Sequence, residues 1–554
     1  MKFIALALIL LSNSVAVFAQ KDTASETNYL KKIVTRLASD KMEGRAPGTK
    51  GEKLAMDLIV ASFKKAGIPQ AEIMLQPFTF TDKVTVSGET SLMLNDKELK
   101  HGENFWVLSE SGNGSVDATC VYVKFGITAP DKNYDDYSGY TEAELNGKVF
   151  AIDISSPDGV HPHSAWLAYS SLSTKIENAI RHGASGVIFL DAYRNAELPS
   201  LKLSQSASAG TIPVIFAQGP APKMLMDGNA IRCKLNARVD RIKGNGTNIL
   251  ATINNHASRD VIIGAHYDHL GLGDEGSLHI GAKMVHNGAD DNASGIAALL
   301  LLAKKLQTEG PKNFNYKLIA FSAEEKGLLG SSFLVKSGNP DLKQTAYMIN
   351  LDMVGRLENN QIAISGTGTS PIWNKLLPLV KEGNLSYKGS ESGVGPSDHT
   401  SFYLKNVPVL HFFTGTHSDY HKPGDDADKI NYSGIRRVTE FILSLVKLTS
   451  TENDIPFTKT KDQEQGKAPK FSVTLGIIPD YMFDGKGVRM DGVTDGKPAS
   501  AAGMKAGDVI LKLGEIPISD MQSYMKALSN FKKGDKVNAL ILRGSTEMTV
   551  EVKF

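Results

Sequence analysis

His266 and Asp268 stand two residues apart where an apolar run, Val261-Ile262-Ile263-Gly264, gives way to a Gly-rich loop. The loop returns through Gly288-Ala289-Asp290-Asp291-Asn292-Ala293-Ser294-Gly295 and leads into a helix-forming stretch, Ile296 to Leu306. Imidazoles and carboxylates are metal-ligand residue types, and together they suit Zn2+, whereas an all-carboxylate set would suit Mg2+ or Ca2+. His266-x-Asp268 alone is a common tripeptide and reads equally as a hydrogen-bonded turn. Three further clusters sit at or just after largely apolar runs: Phe321-Ser322-Ala323-Glu324-Glu325, Asn350-Leu351-Asp352-Met353 and Asp419-Tyr420-His421-Lys422-Pro423. Repeated delivery of ligand types to strand ends is the pattern of a metal centre.

The elements that must position these residues are strands Val261 to Gly264, Tyr316 to Phe321, Ala346 to Leu351 and Val407 to Phe412. Being mostly apolar rather than alternating, they suit a central sheet covered by helices on both faces, an α/β sandwich. Ligands bind such sheets beyond the carboxyl ends of the strands, where the clusters fall. Upstream, two helical patterns between Glu26 and Ala66 flank the loop Asp40 to Thr49, and Glu72 to Glu98 reads as strands. Between about Ser111 and Asn245 the character changes to short strands, Val149 to Ile154, Gly186 to Leu190 and Ile212 to Phe216, with a helix from Ser173 to His182. Residues Ser450 to Lys470 turn polar and read as a linker, and Phe471 to Phe554 reads as a compact unit with a helix near Met521 to Ser529.

A chain of 554 residues exceeds one ordinary hydrophobic core and suggests about three domains. With 61 basic against 60 acidic residues there is no field to attract a polyanion, so nucleic acid is not an expected partner. Met1-Lys2, the apolar core Phe3 to Leu11 and Ala16-Val17-Phe18-Ala19 have the plan of a secretory signal peptide, with cleavage expected after Ala19. No later apolar run is long enough to span a membrane, so the mature chain is expected to be exported, periplasmic or secreted. Cys120 and Cys233 are the two cysteines, and the sequence leaves open whether they pair or stay as buried thiols.

The set His-x-Asp, Gly-Ala-Asp-Asp-Asn-x-Ser-Gly, Ala-Glu-Glu, Leu-Asp-Met and Tyr-His-x-Pro resembles the co-catalytic dizinc aminopeptidases, the group of bacterial leucyl-type enzymes, aminopeptidase Y and glutamate carboxypeptidase. The likeness runs from about Tyr29 to Thr449 apart from the insertion, and Glu43-Gly44-Arg45-Ala46-Pro47-Gly48 resembles an amino-terminal signature of the same group. It implies a central, mostly parallel mixed sheet sandwiched by helices over residues 20–110 and 246–449. The insertion, 111–245, resembles an α/β protease-associated domain, either a lid on the substrate cleft or a unit that packs beside it. After the linker, 450–470, residues 471–554 resemble a PDZ β-sandwich, most specifically in Ala502-Gly503-Met504-Lys505-Ala506-Gly507-Asp508-Val509-Ile510. Backbone amides around Leu475 to Ile477 would hold a peptide carboxylate; stabilisation or dimerisation of the enzyme is the alternative.

Residue by residue, the resemblance makes Asp291 the carboxylate bridging two zinc ions, with His266 and Asp352 on one and Glu325 and His421 on the other. Glu324 falls on the general base, and Asp268 on a carboxylate accepting the other ring N–H of His266. The Asp291-Asn292 peptide bond is expected to be cis. Asp290 is not a ligand in this alignment. Ser397-Asp398-His399-Thr400 lies either near substrate or as a cap, His279, His286 and His417 read as loop histidines, and Asp425, Asp426 and Asp428 as turn residues. The implied activity is removal of amino-terminal residues from peptides. The alternatives are a carboxypeptidase or glutaminyl cyclase of the same fold, or a peptide-binding protein centred on the PDZ unit.

Overall fold

The computed structural model describes residues 23–554 apart from 160–163, 167, 194–197, 202, 204–208, 228–229, 274–275, 461–472, 480–482, 484–485, 494–495, 519–523, 525–526 and 529. The signal-peptide reading, the second half of the linker (461–470) and much of the helix expected near Met521 to Ser529 lie outside the described residues. Two compact units form, one of Met1–Phe78 with Asn245–Phe554 and one of Thr79–Gly244.

The first unit is built on an eight-stranded mixed sheet. Its strands are β1 (Ile73–Val86), β2 (Val239–Ile253), β3 (Asp260–His266), β4 (Asn315–Phe321), β5 (Thr345–Leu351), β6 (Gln361–Ser365), β7 (Ser386–Ser390) and β8 (Val409–Phe413), in the spatial order β1-β2-β4-β3-β5-β8-β6-β7. β3 pairs in parallel with both β4 and β5, and β5 in parallel with β8, so the centre of the sheet is parallel. β2 on β4 and β6 on β8 are antiparallel.

Period-two alternation in apolar strands explains why both faces are covered. Val261, Ile263 and Ala265 of β3 join one core with the helices over residues 23–37, Lys50–Lys65, Gly295–Glu309 and Tyr432–Thr449. Ile262 points to the other face and packs with Ile319, Met348, Leu334 and Phe402, the last two from helices Leu329–Ser337 and His399–Tyr403. Among the described residues no helix is long and apolar enough to cross a membrane.

At the C-terminal end of this unit a six-stranded antiparallel array holds its own core of Leu475, Met490, Ile510, Leu513 and Ile541. Its strands are β9 (Ile477–Pro479), β10 (Val488–Val493), β11 (Val509–Leu513), β12 (Ile516–Pro517), β13 (Lys536–Arg543) and β14 (Thr546–Lys553), ordered β9-β10-β11-β13-β14 with β12 on β11. Asp508 is buried under a two-pronged contact from Arg543 (2.8 and 2.7 Å). The segment before it is anchored to the elements around the first sheet: Thr458 N–H donates to Thr369 O (2.7 Å) and Thr460 N–H to Tyr403 Oη (2.8 Å).

The second unit contains its own eight-stranded sheet, in which Val149–Asp153, Gly186–Leu190 and Val214–Ala217 run in parallel. It begins at Thr79, and the compositional change near Ser111 lies inside it. Strands Ser91–Leu94 and Phe105–Val107 belong to this sheet, pairing with Ile231–Ala237 and Val214–Ala217. Cys120 and Cys233 are free, buried thiols on neighbouring strands.

Candidate active site

His266 is the last residue of β3, and the chain then leaves the sheet as a loop. Asp352 follows β5 directly, Glu324 and Glu325 come three and four residues after β4, and His421 lies in the loop beyond β8. Parallel pairing of β4, β3, β5 and β8 puts these four carboxyl ends side by side, so one edge receives every cluster. Backbone strain gathers there: Ala323, Met353 and His421 adopt φ of 57°, 52° and 54°, each in or within two residues of a predicted ligand. Asp291 and Asn292 are joined by a cis peptide bond.

The two oxygens of Asp291 face different partners. Oδ1 lies 3.3 Å from His266 Nε2, and the same nitrogen is 3.3 Å from Asp352 Oδ1. Oδ2 lies 3.2 Å from His421 Nε2, which is also 3.2 Å from Glu325 Oε2. Ligand atoms each about 2.0 to 2.1 Å from a tetrahedral Zn2+ are roughly 3.3 Å from one another. The five predicted ligands therefore meet as two imidazole-carboxylate pairs sharing Asp291 at spacings that fit zinc.

The same residues are strongly coupled electrostatically. Burial alone would lower the pKa of His421, yet Glu325 and Asp291 push it up to about 11, and acidic neighbours likewise raise His266 well above its ordinary value. Carboxylates buried at this density are stabilised by positive charge between them.

Glu324 stands beside this pair, its Oε2 3.9 Å from His266 Nε2. Burial pushes its carboxyl well above the usual range, with Glu325, Asp352 and Asp398 adding to the rise and His266 opposing it. Asp268 is fully buried but does not make the short ring contact expected of it: Oδ1 is 3.8 Å from His266 Nδ1, whereas its main-chain oxygen is 3.3 Å away. Its carboxylate instead accepts the N–H groups of Glu324 (3.1 Å) and Glu325 (3.4 Å). Asp268 thus holds the backbone that presents Glu324 and Glu325.

Three functional residues were invisible in the sequence pattern. His269 is buried with Nδ1 2.6 Å from Glu325 Oε1, and with Asp291 and Glu325 it forms a group of potential ligand atoms. Its adjacency to His266-x-Asp268 is the one signal that could have flagged it. Asp425, read as a turn residue, accepts the N–H groups of Asp290 (2.8 Å) and Asp291 (3.0 Å) on one oxygen, while Arg356 reaches the other at 3.2 Å. Arg45, in a loop assigned no role, is buried and donates to the carbonyls of Leu37, Tyr267, Asn287 and Gly288 at 2.7 to 2.9 Å. It ties the amino-terminal segment to both ends of the ligand loop. Gly288 has φ 56°, and a Cβ there would meet Asp291 O at 2.2 Å and the His269 ring at 2.5 Å.

Asp290 points away from the pairs, accepting from Gly355 N–H (2.6 Å) and Ser294 Oγ (2.9 Å), with His417 Nε2 3.3 Å from its other oxygen. His286 is held by Met284 O and Ser277 Oγ, and His279 N–H donates to Ser277 Oγ. Asp398 is buried at the start of its helix, where burial pushes it up to about 7 against the opposing effect of His266. His399 stacks on His411 at 4.4 Å, and burial draws the latter down to about 4, so His411 is neutral where it borders the cavity. That cavity, about 360 Å³, opens onto His266, Asp291, Glu324, Glu325, Asp352 and His421.

The sequence model described as Peptidase family M28 matches residues 248–446, and that of the PDZ domain matches residues 455–554. Aminopeptidase YwaD of Bacillus subtilis (strain 168) is 25% identical over 445 residues, covering 78% of this chain and 86% of that protein. Uncharacterized protein YfbL of Escherichia coli (strain K12) is 28% identical over 223 residues, 34% of this chain and 66% of its own. Among solved structures, the aminopeptidase from Aneurinibacillus sp. strain AM-1 aligns with a TM-score of 0.45 at 24% identity, over 78% of this chain and 95% of that one. Residues 248–446 are therefore a domain of peptidase family M28, that of the zinc aminopeptidases, and residues 455–554 a PDZ domain.

Proposed function

We propose that this protein is an exported aminopeptidase that uses two zinc ions to release amino-terminal residues from peptides. The observation that bears most weight is the split of the Asp291 carboxylate between two imidazole-carboxylate pairs at 3.2 to 3.3 Å. His266 and Asp352 would hold one ion, Glu325 and His421 the other, with Asp291 between them. When bound, such ions polarise a carbonyl and bring the pKa of water to about 7.

The chain's own residues supply the rest. Glu324 takes a proton from the attacking water and delivers it to the departing amine, so that one carboxyl serves as base and then acid. Asp268 fixes the Glu324 and Glu325 amides, and His269 fixes the Glu325 carboxylate, so neither must reorganise during the reaction. The relative named Aminopeptidase YwaD supports the amino-terminal direction over a carboxypeptidase or a glutaminyl cyclase. The signal-peptide pattern at Met1 to Ala19 supports export, and the short strands of the second unit support a protease-associated domain.

A panel of amino-acid amides, free peptides and amino-blocked peptides tests the reading. Hydrolysis of the first two and not the third is expected. Cleavage of amino-blocked peptides at the carboxyl end would overturn it. Glu324→Gln should keep zinc and lose about 2 to 4 orders of magnitude in turnover, the usual contribution of a positioned base.

A further inference from the structure

His421 presents Nε2 to Asp291 and Glu325 at 3.2 Å, so its other ring nitrogen faces away from that pair. Tyr420 stacks on the ring at 3.9 Å, which fixes the ring's plane but not which edge turns inward. A main-chain carbonyl decides that: His421 Nδ1 lies 2.9 Å from Gly276 O. A carbonyl only accepts, so Nδ1 carries the hydrogen and the Nε2 lone pair is left for a metal. Gly276 belongs to the Gly-rich loop between Gly271 and His286, which makes a second contact to the same residue, Leu278 N–H to His421 O at 3.0 Å. The loop is pinned in turn by a residue outside both imidazole-carboxylate pairs. His286 is fully buried, and its Nδ1–H donates to Met284 O (2.9 Å), which leaves Nε2 to accept the Ser277 hydroxyl (2.8 Å). Ser277 Oγ accepts His279 N–H (3.1 Å) and His286 N–H donates to Gly271 O (2.9 Å), so both arms of the loop close on one residue. Gly273 packs on the His286 ring so closely that a Cβ there would meet Cε1 at 2.2 Å.

We propose that Ser277 and His286 are positioning residues for His421: they lock the loop whose Gly276 carbonyl turns Nε2 toward Glu325 and Asp291. The inference rests on the two-zinc reading and names what orients one of its ligands. Such a link runs both ways, because loop order that strengthens metal binding at His421 must itself be strengthened, by the same factor, when the metal binds. His266 has separate support, its Nδ1 lying 3.3 Å from the Asp268 main-chain oxygen, so the effect is confined to one ion of the two. Leu278, next to Ser277, lines the catalytic cavity, and the loop that orients the ligand is therefore also a wall of the substrate space.

The test measures zinc affinity by chelator competition, and amide hydrogen exchange with and without zinc, on the full chain. Ser277→Ala and His286→Leu should each weaken one of the two ions by about tenfold and leave the other unchanged, the scale expected when the support of a metal ligand is lost. Ser277→Thr keeps the hydroxyl and should restore the affinity. The same loss should appear in an Asp352→Ala background, where Glu325 and His421 are the pair left whole. In the unmodified chain, zinc should slow exchange at the Leu278 and His279 amides by about tenfold, and much less in Ser277→Ala. The exchange measurement on the unmodified chain needs no substitution, so it stands whether or not a variant folds. Equal weakening of both ions, as general loosening would give, unchanged affinities in both variants, or loop amides indifferent to zinc would overturn the proposal. Failure of the unmodified chain to bind zinc would instead defeat the two-zinc reading on which it rests.

Discussion

Replacing Asp425 with alanine removes the one acceptor that two successive buried amides share. Asp290 N–H and Asp291 N–H both donate to its Oδ2, at 2.8 and 3.0 Å, and Asp425 itself is fully buried. Each buried N–H left without a partner costs about 1 to 3 kcal/mol, or roughly 2 to 6 for the pair. The loss is offset in part, because the carboxylate is itself held uneasily: burial and neighbouring Asp290 both raise its pKa. We therefore expect a local cost of about 3 kcal/mol in Asp425→Ala. Asp425→Asn retains an acceptor oxygen and loses the contact to Arg356, which keeps Asp419 at 3.3 Å, so its cost is about 1 kcal/mol or less. Global unfolding of a multidomain chain would blur this difference. Amide hydrogen exchange resolves it: exchange at residues 290 and 291 should accelerate on the order of a hundredfold in the alanine variant and much less in the asparagine variant. Unchanged protection in Asp425→Ala, or equal damage from the two substitutions, would refute the claim that Asp425 holds the Asp291 backbone in place.

Three further outcomes follow from the same geometry. His269→Ala should weaken zinc binding at the Glu325–His421 pair by about 10- to 100-fold, read by chelator competition, because Glu325 loses the partner that fixes its outer oxygen. Arg45→Lys should cost about 2 to 4 kcal/mol in unfolding by denaturant, since a compact ammonium cannot reach the four carbonyls that the guanidinium spans. In the PDZ domain, burial would raise the Asp508 carboxyl, but Arg543 and the Lys505 N–H outweigh it and the net shift is downward. That contribution is present above the unfolded value of about 3.9 and is lost as pH falls from there through the depressed folded value. Exchange at the Val509–Leu513 amides should therefore rise steeply below about pH 4 in the unmodified chain and lack that step in Asp508→Asn.

Three of the five proposed ligand positions lie at or just beyond the ends of apolar strands, which neighbouring parallel strands bring together without further information, whereas Asp291 and His421 lie in loops farther on. His266 closes β3, Asp352 follows β5, and the Glu pair comes soon after β4. What supports them could not be read that way, because the supporting contacts join residues far apart in the chain. His269 meets Glu325 across 56 positions, Asp425 meets Asp290 across 135, and Arg45 meets Gly288 across 243. A second limit shows in Asp268. The family resemblance implies a ring contact to His266, but β3 has ended there and the carboxylate turns toward the Glu324 and Glu325 amides instead. Sheet membership was equally hidden: Ser91–Leu94 is an ordinary apolar strand, and its pairing with Ile231–Ala237 puts it in the second unit. Alternation reports which residues are buried, not which sheet buries them.

Zinc titration of the metal-free chain and of Asp291→Ala, by calorimetry with mass spectrometry under native conditions, tests the dizinc centre most directly. Two tightly held ions per unmodified chain are expected, falling to one or none when the shared carboxylate is removed. Two ions retained by Asp291→Ala, or a single ion in the unmodified chain, would contradict it.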